Sequence, residues 1–284
     1  MTSDLRFAKY QATGNDFLIV DEIDEPAPPF DVPALCDRWT GVGADGVIRV
    51  TAGDAAPFRF ELTNADGSAA AMSGNGMRCL GAYLRDGGRL DVDEVDVETP
   101  AGVRHLTLSR ADDRVTAATV DMGWPNFTKA AIPMRGPAWE TFQDQPFDIG
   151  GGMQVEATAL SMGNPHLVLF VDEDPERFHL EHVGPALERH ELFPERTNVE
   201  LALTSADGIR VRVWERGVGE TLACGTGACA VAVAANESGR AGAAATVRFR
   251  GGSLDVERLE DGRVLLGGDV AHVFDGTADP AVIR

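Results

Sequence analysis

Apolar and polar residues alternate over several stretches of this chain, and a period of two is typical of β-strands with one buried face. The alternation predicts strands at residues 92–98, 115–122, 210–214, 245–250 and 264–266. Helices are fewer, and the pattern predicts them at 32–38, 74–85, 184–190 and 225–238. The last segment is almost entirely alanine and valine, so it is apolar on all sides. Such a pattern predicts a helix that is buried all round.

An internal repeat divides the chain into two similar halves. TGNDFLIVDE (13–22) resembles MGNPHLVLFVDE (162–173), which pairs Asn15 with Asn164. Further along, FRFELTNADGS and SGNGMRCLGAYL correspond to IRVRVWERGVGET and CGTGACAVAVAA. In each half, an alternating strand leads through a polar turn to a glycine-rich segment that opens an apolar helix. A repeat of this length indicates two halves rather than a solenoid.

The spacing of the landmarks supports this duplication. Ser73 lies nine positions after Asn64, and Cys224 lies nine positions after Glu215. We therefore expect an α/β fold of the α+β-like kind, with two pseudo-symmetric halves, each a mixed sheet wrapped around one buried helix. The expected division is 1–123 plus 270–284 for the first half and 124–269 for the second. Prolines and glycines in the stretch 122–137 suit the crossover between them.

Composition narrows the classes of function. The 284 residues contain 45 acidic and 25 basic side chains, a net charge of −20, which argues against nucleic acid and against anionic lipid as partners. No apolar run reaches the roughly 20 residues of a membrane span, and the first residues do not read as a signal peptide, so a cytoplasmic location is expected. The four cysteines contain no CxxC pair, and neither a disulfide framework nor a metal site is predicted.

Cys224 is the strongest chemical candidate. It lies in ACGTGAC at the predicted start of a helix, where free backbone N–H groups and the helix dipole are expected to lower its pKa below about 8.5 and to bind an anion. The alternative is a small apolar residue that merely fills space. The corresponding segment SGNG supplies a second anion cradle. Two facing cradles, each with a polar side chain, suit the transfer of a proton from one face of a carbon to the other.

Inversion of an amino acid commonly uses pyridoxal phosphate bound to a lysine. The chain has only Lys9 and Lys129, and neither lies in a recognisable motif. Helix dipoles aimed at the substrate carboxylate are therefore expected to replace the cofactor.

Six ordered motifs carry a resemblance to a known family. TGNDFLIVD, NADGS, SGNGMRC, SMGNPH, ERTN and ERGVGETLACGTGAC resemble diaminopimelate epimerase, and the matches extend over residues 7–275. The resemblance implies two α/β halves with the active site in the cleft between them, no metal or organic cofactor, and a homodimer. It also implies interconversion of LL- and meso-2,6-diaminopimelate in lysine and cell-wall biosynthesis. In that reaction one cysteine removes the α-proton and a second protonates the opposite face.

The resemblance assigns roles residue by residue. Cys224 matches one catalytic cysteine, and His166 and Glu215 match groups that tune the pKa of the cysteines. The matching substrate-binding positions are Asn15, Asn64, Gly74, Asn75, Asn164, Asn198, Glu215, Arg216, Gly225 and Thr226. Carboxamides and a guanidinium suit the ammonium and carboxylate groups of the substrate. For any one of the asparagines, a role in a turn or a cap is the alternative.

The chain departs from the family pattern at Ser73, where the family has its other cysteine. A serine hydroxyl is a much weaker acid than a thiol. Cys79 is not expected to replace it, because six helical residues carry it about 9 Å along the axis and roughly 240° around it. A milder departure is Gly46, where some members carry a glutamine that contacts substrate.

Four explanations of Ser73 stay open from the sequence. It is a natural variant acting directly or through a water, an engineered change, the mark of a relative with another reaction, or the mark of a chain that binds without turnover. The alternatives to the epimerase are accordingly a racemase or one-base dehydratase of another amino acid, and a non-catalytic amino-acid-binding protein.

Overall fold

The computed structural model of this chain describes residues 4–279, which form two compact units. The first unit contains the chain up to Asp121 and again from Gly267, and the second extends from Met122 to Leu266. Strands outnumber helices in both units.

The first unit contains a long buried helix surrounded by strands. Its strands before the crossover are β1 (Leu5–Ala12), β2 (Asn15–Asp21), β3 (Gly46–Ala52), β4 (Phe58–Asn64), β5 (Ala69–Ala70), β6 (Glu94–Thr99), β7 (Gly102–Ala111) and β8 (Arg114–Asp121). Its helices are the short α1 (Val32–Cys36) and the longer α2 (Gly74–Asp86). Helix α2 packs against β1, β2, β7 and β8, and most of its residues are buried.

The second unit repeats this plan. Its strands are β9 (Phe142–Asp148), β10 (Gln154–Ser161), β11 (Pro165–Phe170), β12 (Asn198–Ser205), β13 (Gly208–Glu215), β14 (Gly219–Thr221), β15 (Ala244–Phe249) and β16 (Gly252–Arg258). Its helices are α3 (Leu180–Glu188) and α4 (Gly225–Glu237), with a 3₁₀ turn at Pro175–Arg177. Strand β17 (Val264–Asp269) then leads to β18 (Ala271–Ala278), which pairs antiparallel with β1 in the first unit.

The order of strand pairings is the same in both units. In the first, β1–β2 is antiparallel, β2–β3 parallel, β3–β4 antiparallel and β4–β6 parallel. In the second, β10–β11 is antiparallel, β11–β12 parallel, β12–β13 antiparallel and β13–β15 parallel. This common order confirms the predicted fold class of mixed sheets around one buried helix in each half, and it confirms the repeat.

Helix α4 shows why the sequence folds this way. Its alanines and valines are buried on every side, as predicted, because strands β10, β11, β12, β15 and β16 all contact it. Small side chains allow these strands to approach the helix closely, and burial of apolar surface stabilises the arrangement.

The predicted elements are all present, with shifted ends. The largest shift is in α3, which begins at Leu180 rather than at residue 184. Pro185 lies inside this helix. Because a proline is usually found in the first helical turn, Pro185 gives no sequence signal for a helix that begins at Leu180.

Candidate active site

Ser73 and Cys224 are the residues that cap α2 and α4. Their backbones are nearly identical, with φ −140° and ψ 121° for Ser73 and φ −135° and ψ 120° for Cys224. Ser73 Oγ accepts a hydrogen bond from Gly76 N at 3.1 Å, and Cys224 Sγ accepts one from Gly227 N at 3.4 Å. Both side chains therefore lie among the free N–H groups at the start of a helix.

The pKa of Cys224 differs from the sequence prediction. Burial raises the pKa of this thiol well above its usual value, and the carboxylates of Glu215 and Glu200 raise it further. Hydrogen bonds with Thr226 and Gly227 lower the pKa, as expected at a helix N-terminus, but their effect is smaller. The prediction of a lowered pKa is therefore wrong, because Cys224 is only 6% exposed and lies near two acidic groups.

A chain of hydrogen bonds leads away from Cys224. Its Sγ is 3.5 Å from Thr226 Oγ1, and that oxygen accepts a hydrogen bond from Asn164 Nδ2 at 3.2 Å. The other end of the Asn164 carboxamide, Oδ1, is 3.0 Å from His166 Nε2. Three residues that the sequence predicted for binding or tuning are thus joined to the thiol.

The hydrogen-bond chain continues from His166 to Glu200, a residue that the sequence did not predict. Its Nδ1 is 2.6 Å from Glu200 Oε1, and neither side chain is exposed. Burial raises the pKa of Glu200, and Glu215 adds to this effect while His166 opposes it. The only sequence signal for Glu200 is a carboxylate in the otherwise apolar stretch that follows Asn198.

Asn198 connects β11 to the turn that begins at Arg216. Its Nδ2 donates to Pro165 O at 2.8 Å, and its Oδ1 accepts from Arg216 N at 2.8 Å. The side chain of Arg216 is exposed, whereas Glu215 is half-buried and accepts a hydrogen bond from the hydroxyl of Thr221. The guanidinium of Arg216 is thus accessible to a ligand.

In the first unit, a buried arginine holds two of the predicted asparagines. Arg78 is wholly buried and donates to Asn75 Oδ1 at 2.5 Å and to Thr13 Oγ1 at 3.0 Å. Asn75 Nδ2 donates to Asn15 Oδ1 at 3.3 Å, and Asn15 Nδ2 donates to Asp45. Each of these carboxamides keeps one further N–H, which is the group that suits a substrate carboxylate. Arg78 was not predicted, although it interrupts the apolar side of the helix in SGNGMRC.

Six of the predicted residues lie in two hydrogen-bond networks, one in each unit. Hydrogen bonds join Asn15 with Asn75 in the first unit, and they join Asn164, His166, Thr226 and Cys224 in the second. Asn64 bonds to Ser68, four residues further along the chain, at 3.0 Å. Gly74 and Gly225 are the buried first residues of α2 and α4.

Gly46 occupies a position that has little room for a side chain. It pairs with Asn64 across β3 and β4, and a Cβ atom there would lie 2.8 Å from Thr63 O. A glutamine at this position would require the strand to move. The glycine therefore fits the local packing of this chain.

The thiol of Cys79 and the amines of the two lysines have structural roles away from Cys224. Cys79 is wholly buried in α2, and burial raises its pKa to about 12, in keeping with a packing role. Lys9 Nζ is 2.8 Å from Asp16 Oδ2, and Lys129 Nζ is 2.6 Å from Glu140 Oε2. Both lysine amines of the chain are therefore engaged in ion pairs.

Solved structures of epimerases share this fold. A hydroxyproline epimerase from Agrobacterium vitis aligns with a TM-score of 0.69 and 16% sequence identity, covering 99% of this chain and 94% of that chain. A predicted epimerase from Pseudomonas aeruginosa aligns with a TM-score of 0.66 and 20% identity, covering 96% and 98%. By its fold, the chain thus belongs to the structural class that includes these two proteins.

Sequence comparison identifies the family within that class. Residues 7–128 and 158–273 match the diaminopimelate epimerase family, and the chain belongs to it. Curated diaminopimelate epimerases from Synechococcus sp. and Desulfitobacterium hafniense are 46% and 44% identical to it. The first alignment covers 98% of this chain and 99% of the Synechococcus protein. The second covers 96% of this chain and 97% of the Desulfitobacterium protein. Among the described residues, no helix is both long and apolar enough to span a membrane.

Proposed function

We propose that this chain interconverts LL- and meso-2,6-diaminopimelate, in lysine biosynthesis, by proton transfer at one α-carbon. The main support is the pair of matching helix caps, Ser73 and Cys224, in a chain that belongs to the diaminopimelate epimerase family. Two groups in equivalent positions suit a reaction that needs a base on one face of a carbon and an acid on the other.

In this proposal the helix N-termini hold the carboxylate next to the reacting carbon. The backbone N–H groups of Gly74 and Asn75 in α2, and those of Gly225 and Thr226 in α4, are the donors. Their dipoles stabilise the charge that develops when the α-proton leaves. The distal carboxylate and ammonium are assigned to Arg216 and to carboxamides among the predicted binding residues. The same proposal includes a cleft that holds the site. It also includes the division of the chain into halves at residues 123 and 270.

We assign the two proton-transfer roles to Cys224 and Ser73. Cys224 acts as a thiolate on one face, with His166 and Glu215 as the groups that tune it. The hydroxyl of Ser73 acts on the other face, and proton transfer there is the slower step because a hydroxyl is a weak acid. No pyridoxal phosphate or metal is needed, and the ion pairs of both lysines are consistent with a reaction that forms no Schiff base.

The test is incubation with LL-diaminopimelate in D2O, following stereochemistry and α-deuteration together. The chain should yield the meso isomer with deuterium at the inverted carbon, and Ser73→Cys should accelerate inversion. Ser205→Cys, which adds a thiol at an exposed site, should leave the rate unchanged. The proposal is wrong if Ser73→Cys binds the substrate but catalyses neither inversion nor exchange. Loss of water from a β-hydroxy amino acid in a parallel incubation, with no reaction of diaminopimelate, would instead indicate a dehydratase.

We also propose that the active form is a cytoplasmic homodimer, on the strength of the family resemblance. Light scattering of the purified chain at micromolar concentration should give a mass twice that of one chain. A monomer that is fully active would contradict this part of the proposal.

A further inference from the structure

The orientation of Asn164 fixes where His166 carries a proton. Asn164 Nδ2 donates to Thr226 Oγ1 at 3.2 Å, so its Oδ1 faces His166 Nε2 at 3.0 Å. A carboxamide oxygen has no hydrogen to give. The hydrogen between them must therefore belong to His166 Nε2.

The contact between His166 Nδ1 and Glu200 then determines how many protons this pair of side chains carries. Nδ1 lies 2.6 Å from Glu200 Oε1, so one more proton is shared between the ring and the carboxyl group. Whether the pair is written as neutral or as an ion pair, it contains two protons. Removing one of them would leave an unneutralised carboxylate at a site with no solvent exposure. Glu200 Oε2 has no hydrogen-bond partner among the described residues, which makes such a charge still more costly.

Each donor in this series of hydrogen bonds consequently points toward Cys224 Sγ. Because Thr226 Oγ1 already accepts from Asn164, its own O–H is free to donate to Cys224 Sγ, 3.5 Å away. If the Asn164 carboxamide were turned over, its oxygen would take the Thr226 O–H, and the sulfur would lose its donor. That reversed chain requires an unprotonated Nε2, and hence one proton fewer in the buried pair.

We propose that Glu200 is a positioning residue that sets the direction of this hydrogen-bond chain, so that Thr226 donates to Cys224. This donation favours the thiolate by more than the Glu200 carboxylate disfavours it, because the two protons leave the His166–Glu200 pair neutral as a whole. The titratable groups that face one another here come from four elements: His166 on β11, Glu200 on β12, Glu215 on β13 and Cys224 at the start of α4. The direction of the hydrogen-bond chain follows from the orientation of the Asn164 carboxamide and from the burial of the His166–Glu200 pair, whereas its part in turnover rests on the proposed function.

The test measures how fast iodoacetamide alkylates Cys224 at pH 8, by peptide mapping. In Glu200→Gln the neutral amide permits both chain directions, so the rate should fall about twofold, the effect of halving the competent population. Thr226→Val removes the donor, and the rate should fall about fivefold, the effect of one ordinary hydrogen bond. Thr226→Ser should keep the original rate. In the Thr226→Val background, Glu200→Gln should have no further effect.

A purely electrostatic role of Glu200 predicts the opposite sign. Removing a nearby negative charge would make the thiol more acidic, and Glu200→Gln would react faster. Faster or unchanged alkylation therefore overturns the proposal. Glu237→Gln is the control, because Glu237 is on the same helix as Cys224 but pairs with Arg258 at 2.5 Å. Its rate should not change.

A second measurement needs no variant. ¹⁵N NMR of His166 in the unmodified chain at pH 7 should show Nε2 protonated, and an unprotonated Nε2 overturns the proposal even if Glu200→Gln does not fold. Neither readout depends on turnover. Failure of Ser73→Cys to epimerise would refute the proposed function and leave these results in place.

Discussion

Exchanging the two capping residues should change local stability in opposite directions. Ser73 and Cys224 have the same backbone conformation and accept from the amide three residues ahead, at 3.1 Å for oxygen and 3.4 Å for sulfur. Serine is a preferred helix cap, and losing such a cap costs about 1 kcal/mol. Because a thiol retains part of the bond, Ser73→Cys should weaken the first turn of α2 by up to about 1 kcal/mol, a factor of at most about five in local opening. Cys224→Ser should strengthen α4 by a similar amount.

Amide hydrogen exchange is the appropriate assay, since it reports on each helix end separately and a chain of two units need not unfold in one step. Exchange at Gly76 should accelerate up to fivefold in Ser73→Cys, and exchange at Gly227 should slow in Cys224→Ser. The two effects should add in the double variant, because the caps share no hydrogen-bond partner. Unchanged or slower exchange at Gly76 in Ser73→Cys would refute the reasoning, for it would mean that the cap bond does not depend on oxygen.

Two further predictions concern the surroundings of Cys224. A Cβ on Gly227 would lie 2.9 Å from Glu200 Oε1, so Gly227→Ala should displace that carboxyl group and reduce turnover at least tenfold. A Cβ on Gly76 would meet Ile48 Cδ1 and Ser73 Cβ at 3.3 Å, a tight contact that displaces no carboxyl group, so Gly76→Ala should reduce turnover less than Gly227→Ala. Equal losses of turnover in the two variants would contradict this. Burial and Glu215 raise the pKa of Cys224, so the rate of its alkylation should rise about tenfold per pH unit from pH 7 to 9. The rate should also be higher in Glu215→Gln. A plateau in the rate below pH 8 would contradict the raised pKa.

Much of the fold could be read from the sequence because its signals are local and repeated. Alternating strands and one uniformly apolar helix in each half define the mixed sheets. The start of α4 follows from the glycines after Cys224, and the start of α2 from the same pattern after Ser73. The start of α3 could not be read in this way, because Pro185 suggests a first turn that the helix has already passed.

The residues behind the site were less accessible to sequence reasoning. Glu200 and Arg78 act through contacts with residues 34 and 65 positions away, and such pairing depends on the register of strands rather than on any local motif. The sequence prediction for the pKa of Cys224 is wrong for a related reason. The helix N-terminus is a local feature, but the burial and the acidic neighbours that outweigh it come from other strands.

The pairing of β1 with β18 has a consequence for the order in which the chain can fold. Leu5 lies opposite Ala278, so the first unit includes strands from both ends of the described sequence, whereas the second is one continuous segment. During synthesis, the part that contains Cys224 is complete before β18 leaves the ribosome. Until then, one edge of β1 in the part that contains Ser73 lacks its partner strand. Closing so large a loop carries an entropic cost and favours slow formation of that contact. Completion of the Ser73 half is thus tied to the synthesis of β18, which follows the whole second unit.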